Sequence, residues 1–88
     1  PKIKRLSKAL ASVTDEKDML LLVRDLCTLE EITEMANRWE AVQMIEKGNP
    51  YREIAEKTGM STTTITRIAH WLKHGEGGYA KALSKRKK

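Results

Sequence analysis

Between residues 51 and 72, small and apolar residues are spaced for two short helices joined by a tight turn. Ala55 is small enough for the second helix to cross closely over it, and Gly59 can take the left-handed conformation that turns the chain sharply. Ser61 is a typical N-cap residue for the second helix. The space between the helices is then filled by Ile54, Met60, Ile65 and Ile68. The pattern predicts a helix-turn-helix with the geometry found in DNA-binding proteins.

The predicted second helix carries four threonines within five residues, although threonine contributes little to helix stability. Short hydroxyl and methyl groups near a helix N-terminus can approach base edges and thymine methyls closely. Lysine, arginine and the free amides at the helix start can hold phosphates. We therefore predict DNA contacts from Arg52, Lys57, Ser61, Thr62, Thr63, Thr66, Arg67, His70 and Lys73.

The charge of the chain is concentrated in the same half as this motif. The whole chain carries a formal net charge of +5, with 17 Lys and Arg against 12 Asp and Glu. Residues 1–50 have eight basic and nine acidic side chains, whereas residues 51–88 have nine basic and three acidic ones. This asymmetry favours a polyanionic partner, most simply nucleic acid. The last four residues, 85–88, are all basic and are predicted to be disordered.

The first half of the chain predicts three further helices, and helix-forming residues dominate throughout, so the fold is predicted to be all-α. Residues 19–23 are apolar on nearly every side of their helix, more than an 88-residue monomer needs, which indicates a dimer interface. Thr28 and Glu31 form a capping box for a long helix that ends at Gly48. After a flexible joint at residues 74–78, a short last helix is expected over residues 79–84.

We divide this single domain into three parts. Residues 1–48 form the core and dimer interface, residues 49–74 form the DNA-binding unit, and residues 75–88 form a short helix and the basic tail.

Several classes of function lack the residues they need. The single Cys27 cannot form an internal disulfide, and the sequence has no membrane-length apolar run or secretory signal, so a cytoplasmic protein is expected. There is no nucleophile–base pair, phosphate loop or metal cluster, so we predict no enzyme. His70 and His74 are four residues apart, but no further ligand lies close in sequence, and we assign no metal. Trp39 and Trp71 are both interpreted as core residues.

The stretch from Thr28 to Lys73 resembles the tryptophan repressor superfamily, in particular its YerC/YecD-like branch. The local matches are residues 62–67, Leu72–Lys73 and Gly48. The resemblance implies a bacterial protein of about six helices. It also implies an intertwined homodimer whose two recognition helices enter successive major grooves of a near-palindromic operator. No membrane association is implied.

The resemblance also implies where a tryptophan corepressor would bind. The two arginines that sandwich its indole fall on Arg38 and Arg67, and Thr28 matches another pocket position. However, Ile68 stands where the repressor has glycine, and Trp71 replaces a pocket serine, so both changes add bulk. We therefore expect no cofactor, neither tryptophan nor another small effector, and hypothesise that Ile68 or Trp71 itself fills the space.

Together these observations predict a sequence-specific duplex-DNA-binding transcriptional regulator, most simply a repressor. Two alternatives stay open. The helix pair could instead dock another protein, which would make the chain an interaction adaptor. The motif could also be a helix-turn-helix module of a transposase or sigma-like protein.

Overall fold

The computed structural model describes residues 1–86, which form six α-helices and no strand, as the sequence predicts. The helices are α1 (Lys2–Ser12), α2 (Glu16–Leu26), α3 (Leu29–Glu46), α4 (Tyr51–Thr58), α5 (Thr62–His74) and α6 (Gly78–Arg86). No helix within this range is long and apolar enough to cross a membrane.

Both ends of α3 have the predicted caps. At the start, the Thr28 amide donates to Oε1 of Glu31 at 2.8 Å, and the Glu31 amide donates to Oγ1 of Thr28 at 3.1 Å. At the end, Gly48 has a φ of 85°. Its amide donates to the Ile45 carbonyl at 3.0 Å, and the Asn49 amide donates to the Met44 carbonyl at 3.0 Å. This Schellman arrangement satisfies carbonyls that the helix leaves open, and its left-handed residue favours glycine.

The C-terminal part differs from the sequence prediction in two ways. His74 and Gly78 belong to helices, so the joint between α5 and α6 is only residues 75–77. The last helix continues to Arg86, which makes Lys85 and the Arg86 backbone helical rather than disordered. Lys87 and Lys88, the remainder of the predicted disordered tail, lie outside the described residues.

The structure divides into two compact units, Pro1–Thr33 and the chain from Glu34 onward. In the first unit, neither α1 nor α2 contains a buried residue. Ile3 is 82% exposed, and Leu21 is 65% exposed. Large apolar side chains of these helices therefore remain on the surface of the single chain.

The second unit contains a closed core. Ala41 and Val42 from α3 are fully buried together with Ile54 of α4 and with Ile65 and Ile68 of α5. Leu83 from α6 completes this cluster, and Met60 of the turn packs against it half-buried. The three isoleucines and Met60 thus fill the space between the two short helices, as predicted. Burial of each large aliphatic side chain contributes about 1.5–3 kcal/mol to folding.

Candidate nucleic-acid interface

The turn between α4 and α5 is set by the backbone of Gly59. Its φ is 77° and its ψ is 4°, which is the left-handed conformation. Its amide donates to the carbonyl of Ala55 at 2.9 Å and closes α4. A Cβ at this position would meet nothing within 4 Å, so the requirement for glycine comes from φ and not from crowding.

Thr58 holds the same turn from inside, a role that the sequence analysis missed. The residue is buried, and its hydroxyl donates to the Ile54 carbonyl at 2.7 Å. The same oxygen accepts from the Met60 amide at 3.2 Å. One side chain thus links the last turn of α4 to the first residue after Gly59. The sequence feature that could have indicated this role is a threonine four residues after the core residue Ile54, on the same face of the helix.

The start of α5 is capped by Ser61 as predicted. Its Oγ accepts from the Thr64 amide at 3.1 Å and lies 3.0 Å from the Thr64 hydroxyl. The first amides of a helix have no intrahelical acceptor, so those of Thr62 and Thr63 are available to an anion. Both of these threonines are exposed.

Thr66 lies one turn further along the same exposed face of α5. Its hydroxyl donates to the Thr62 carbonyl at 2.9 Å. This bond leaves the lone pairs of the oxygen as acceptors, and it restricts the rotation of the side chain. The Thr66 hydroxyl is therefore more ordered than a freely rotating hydroxyl would be.

All nine residues predicted to contact DNA lie in α4, in the turn or in α5, and all nine are exposed. They belong to one compact unit, so the fold brings them together. α5 carries no acidic residue, while Arg67, Lys73 and two histidines lie along it. On α4, the acidic residue Glu53 is engaged locally, because its carboxylate accepts a hydrogen bond from Nδ2 of Asn49 at 2.8 Å. The second helix thus offers hydroxyl groups at its start and positive charge along its length.

The residues of the implied corepressor pocket have other interactions. Thr28, in the first unit, uses its hydroxyl in the cap of α3. Arg38, in the second unit, forms an ion pair with Glu34 one turn earlier. Arg67 is exposed on α5 and belongs equally to the predicted DNA-contacting set.

The two residues that add bulk to that pocket differ in environment. Ile68 is fully buried in the core. Trp71 is 49% exposed, so its interpretation as a core residue is wrong, whereas Trp39 packs against the core half-buried. The rings of His70 and His74 lie 4.9 Å apart between centroids. Within residues 1–86, no group of three or more His, Cys, Asp or Glu side chains is arranged to hold a metal ion.

A capped helix pair with a glycine turn, an isoleucine core and an open hydroxyl-bearing second helix defines a helix-turn-helix regulator of the DNA-binding type. Comparison with known proteins gives the family. Residues 1–87 match the model of the family described as Trp repressor protein, and the chain belongs to that family. The family consists of transcription regulators.

Individual relatives agree with this assignment. The chain is 36% identical over 81 residues to the uncharacterized protein YerC of Bacillus subtilis, covering 92% of this chain and 78% of that protein. A TrpR-like protein from Eubacterium eligens superposes with a TM-score of 0.89 at 33% identity, covering 96% of this chain and 87% of the other. A Staphylococcus aureus protein gives the same TM-score at 28% identity, covering 98% and 86% of the two chains. All three relatives are bacterial.

Proposed function

We propose that this protein is a homodimeric bacterial repressor that binds a specific duplex DNA sequence with α5 in the major groove. The observation that carries the proposal is the exposed face of Ser61, Thr62, Thr63 and Thr66, held outward by the Gly59 turn. Binding at a promoter would exclude the transcription machinery, and the protein would act in the cytoplasm, where bacterial DNA lies.

The contacts divide into two kinds in this proposal. Thr62, Thr63, Thr66 and Arg67 face the base edges and provide sequence preference. Phosphates are held by Arg52 and Lys57 of α4, by Ser61 and the open amides at the start of α5, and by His70 and Lys73 further along it. The phosphate contacts provide most of the affinity, which falls with increasing salt.

The second copy of the chain covers the apolar residues of α1 and α2. Leu20 is 57% exposed and Leu26 is 51% exposed, and an isolated 10.0 kDa chain would leave both in water. Burial of such side chains between two copies removes apolar surface from solvent. A symmetric dimer presents two α5 helices, so we expect an inverted-repeat site with half-site centres about 34–36 Å apart.

The proposed repressor needs no corepressor. Ile68 stands at the position where the resemblance places a pocket glycine, and its side chain is fully buried in the core. Arg38 is paired with Glu34. We therefore propose that the dimer is competent to bind DNA without tryptophan.

Selection from random duplexes tests this function. The purified full chain should enrich an inverted repeat, and the enriched site should bind at least about 1,000-fold more tightly than a shuffled duplex of equal length. Each neutralised phosphate should contribute about −0.9 to the slope of log affinity against log salt. Free tryptophan should leave the affinity unchanged.

Three results would contradict separate parts of the proposal. Failure to enrich any duplex at low ionic strength would exclude the DNA-binding function and favour an adaptor. A selected site without two-fold symmetry would contradict the dimeric arrangement. Binding that requires tryptophan would contradict only the absence of a corepressor.

A further inference from the structure

A groove of about 650 Å³ lies where α5 meets α6. It is lined by the end of α5, by the connection of residues 75–77 and by Gly78 and Tyr79 at the start of α6. Its volume is within the range of about 300–1,000 Å³ that is typical of small-molecule sites. Of the positions that the family resemblance assigns to the corepressor pocket, only Trp71 lines this groove, whereas Thr28, Arg38, Arg67 and Ile68 do not.

Two glycines determine the shape of the groove. A Cβ at Gly75 would lie 2.5 Å from the carbonyl oxygen of Trp71, so only glycine allows the backbone to pass this close to the end of α5. Gly77 has a φ of 89°, which side-chain-bearing residues rarely adopt, and it directs the chain into α6. The connection is thus fixed by backbone geometry rather than by side-chain packing.

The walls of the groove are aromatic. Trp71 is 49% exposed, and Tyr79 is half-buried against the core. His70 and His74 also line the groove. The faces of indole and phenol rings attract organic cations through their quadrupole, and the attraction strengthens as the cation loses water.

The charged groups in the groove favour the same kind of ligand. Glu76 is its only carboxylate, and no lysine or arginine lines it among the described residues. Within residues 1–86, no ion pair joins Glu76 to a basic side chain. The groove lies between the C-terminal end of α5 and the N-terminal end of α6, whose partial charges have opposite signs. Glu76 is therefore the group that decides the charge preference of the groove, although the second half of the chain is basic overall.

We propose that this groove binds a small organic amine, with an apolar or aromatic body against Trp71 and Tyr79 and a protonated amino group beside Glu76. A carboxylate on the ligand is disfavoured, because it would lie beside the carboxylate of Glu76. His70 belongs both to the groove and to the predicted DNA-contacting set, so an occupied groove adjoins the DNA interface. The amine site itself does not depend on DNA binding.

Three ligands of matched shape test the proposal: phenethylamine, 2-phenylethanol and 3-phenylpropionate. Each is titrated into the ¹⁵N-labelled full chain at about pH 8, above the range in which histidine ordinarily gains its proton. Trp71→Phe identifies which of the two indole signals belongs to Trp71. Phenethylamine should shift this signal and the amide signals of Gly75 and Gly77 saturably, with an affinity about fivefold or more above that of the alcohol. The carboxylate should bind more weakly than both.

Two charge-neutralising variants locate the amino group. Glu76→Gln should weaken phenethylamine binding up to about fivefold, as expected for an exposed charge pair, and leave the alcohol unchanged. The matched change Glu56→Gln, on α4 and away from the groove, should alter neither ligand. Equal or tighter binding of 3-phenylpropionate would overturn the proposal, as would an amine affinity that is indifferent to Glu76→Gln. If these signals instead move only with protein concentration and no amine binds, a second copy covers the groove and the proposal fails.

Discussion

Residues 1–33 and the residues from Glu34 onward are both helical and rich in aliphatic side chains, but they use them differently. Leu20 and Leu21 of α2 are more than half exposed, whereas Ile54 of α4 and Ile65 of α5 are fully buried. The helix-turn-helix therefore has a core supplied by its own chain. The N-terminal helices show an apolar surface that one chain leaves uncovered. In the proposed function the two regions have separate roles, because the second unit contacts DNA and the first unit forms the dimer.

The largest expected effect is on the core of the second unit. Ile65→Ala removes a fully buried side chain and should lower the free energy of unfolding by about 2–5 kcal/mol, because a cavity remains where the isoleucine packed. Chemical denaturation followed by circular dichroism measures the change. A loss below about 0.5 kcal/mol, which is typical of surface positions, would contradict the described core.

A charged residue introduced into the first unit should affect self-association instead of the core of the second unit. Leu21→Glu should weaken self-association by about 1.5–3 kcal/mol or more, because a large apolar side chain is replaced where the partner is proposed to pack. Sedimentation equilibrium over a range of concentrations gives the dissociation constant. Glu16→Gln, a change at the start of the same helix, serves as a control with little effect. A chain that stays monomeric whether or not Leu21 is changed would remove the proposed reason for its exposure.

The turn should show an effect of intermediate size. Gly59→Ala forces a side chain into a left-handed conformation and should cost about 1–2 kcal/mol of stability. Gly78→Ala is the matched control, since Gly78 has no positive φ and open space around its Cβ position. That variant should be neutral or slightly stabilising. Equal thermal midpoints for the two variants would show that φ at residue 59 carries no strain.

The smallest effect concerns sequence preference. Thr66→Ala should reduce affinity for the selected site by about 1 kcal/mol and leave binding to random duplex nearly unchanged, because a base contact is lost and phosphate contacts remain. Fluorescence anisotropy on both duplexes measures the ratio. Thr33→Ala, at an exposed threonine of the first unit, is the control. An equal loss on both duplexes would place Thr66 outside the base-reading face.

Local chemistry made much of this structure predictable. The capping box at Thr28 and Glu31, the left-handed glycines at 48 and 59, and the cap at Ser61 each depend on a few neighbouring residues. The buried isoleucines follow from helical spacing in the same way. Such features need no knowledge of distant contacts, which is why sequence alone identifies them.

The errors arose where local patterns do not decide the environment. Trp71 follows Ile68 by three residues and so has core spacing, yet the core of the second unit is already filled without its full burial. The predicted last helix is too short because the left-handed conformation of Gly77, which starts α6 at Gly78, is not evident in a segment with three glycines among four residues. The two hydrogen bonds of the Thr58 hydroxyl depend on the three-dimensional turn, and the sequence pattern indicates them only weakly.

The orientation of the exposed threonines of α5 depends on the side-chain oxygen of Thr58, which is not among the groups predicted to contact DNA. The hydroxyl of Thr58 uses both its proton and a lone pair to join backbone groups on the two sides of the turn. Valine has the same outline but would leave the partly buried Met60 amide without its acceptor. A change of DNA preference in the proposed function can therefore come from the exposed residues Thr62, Thr63 and Thr66, while Gly59 and the Thr58 oxygen keep the turn that presents them.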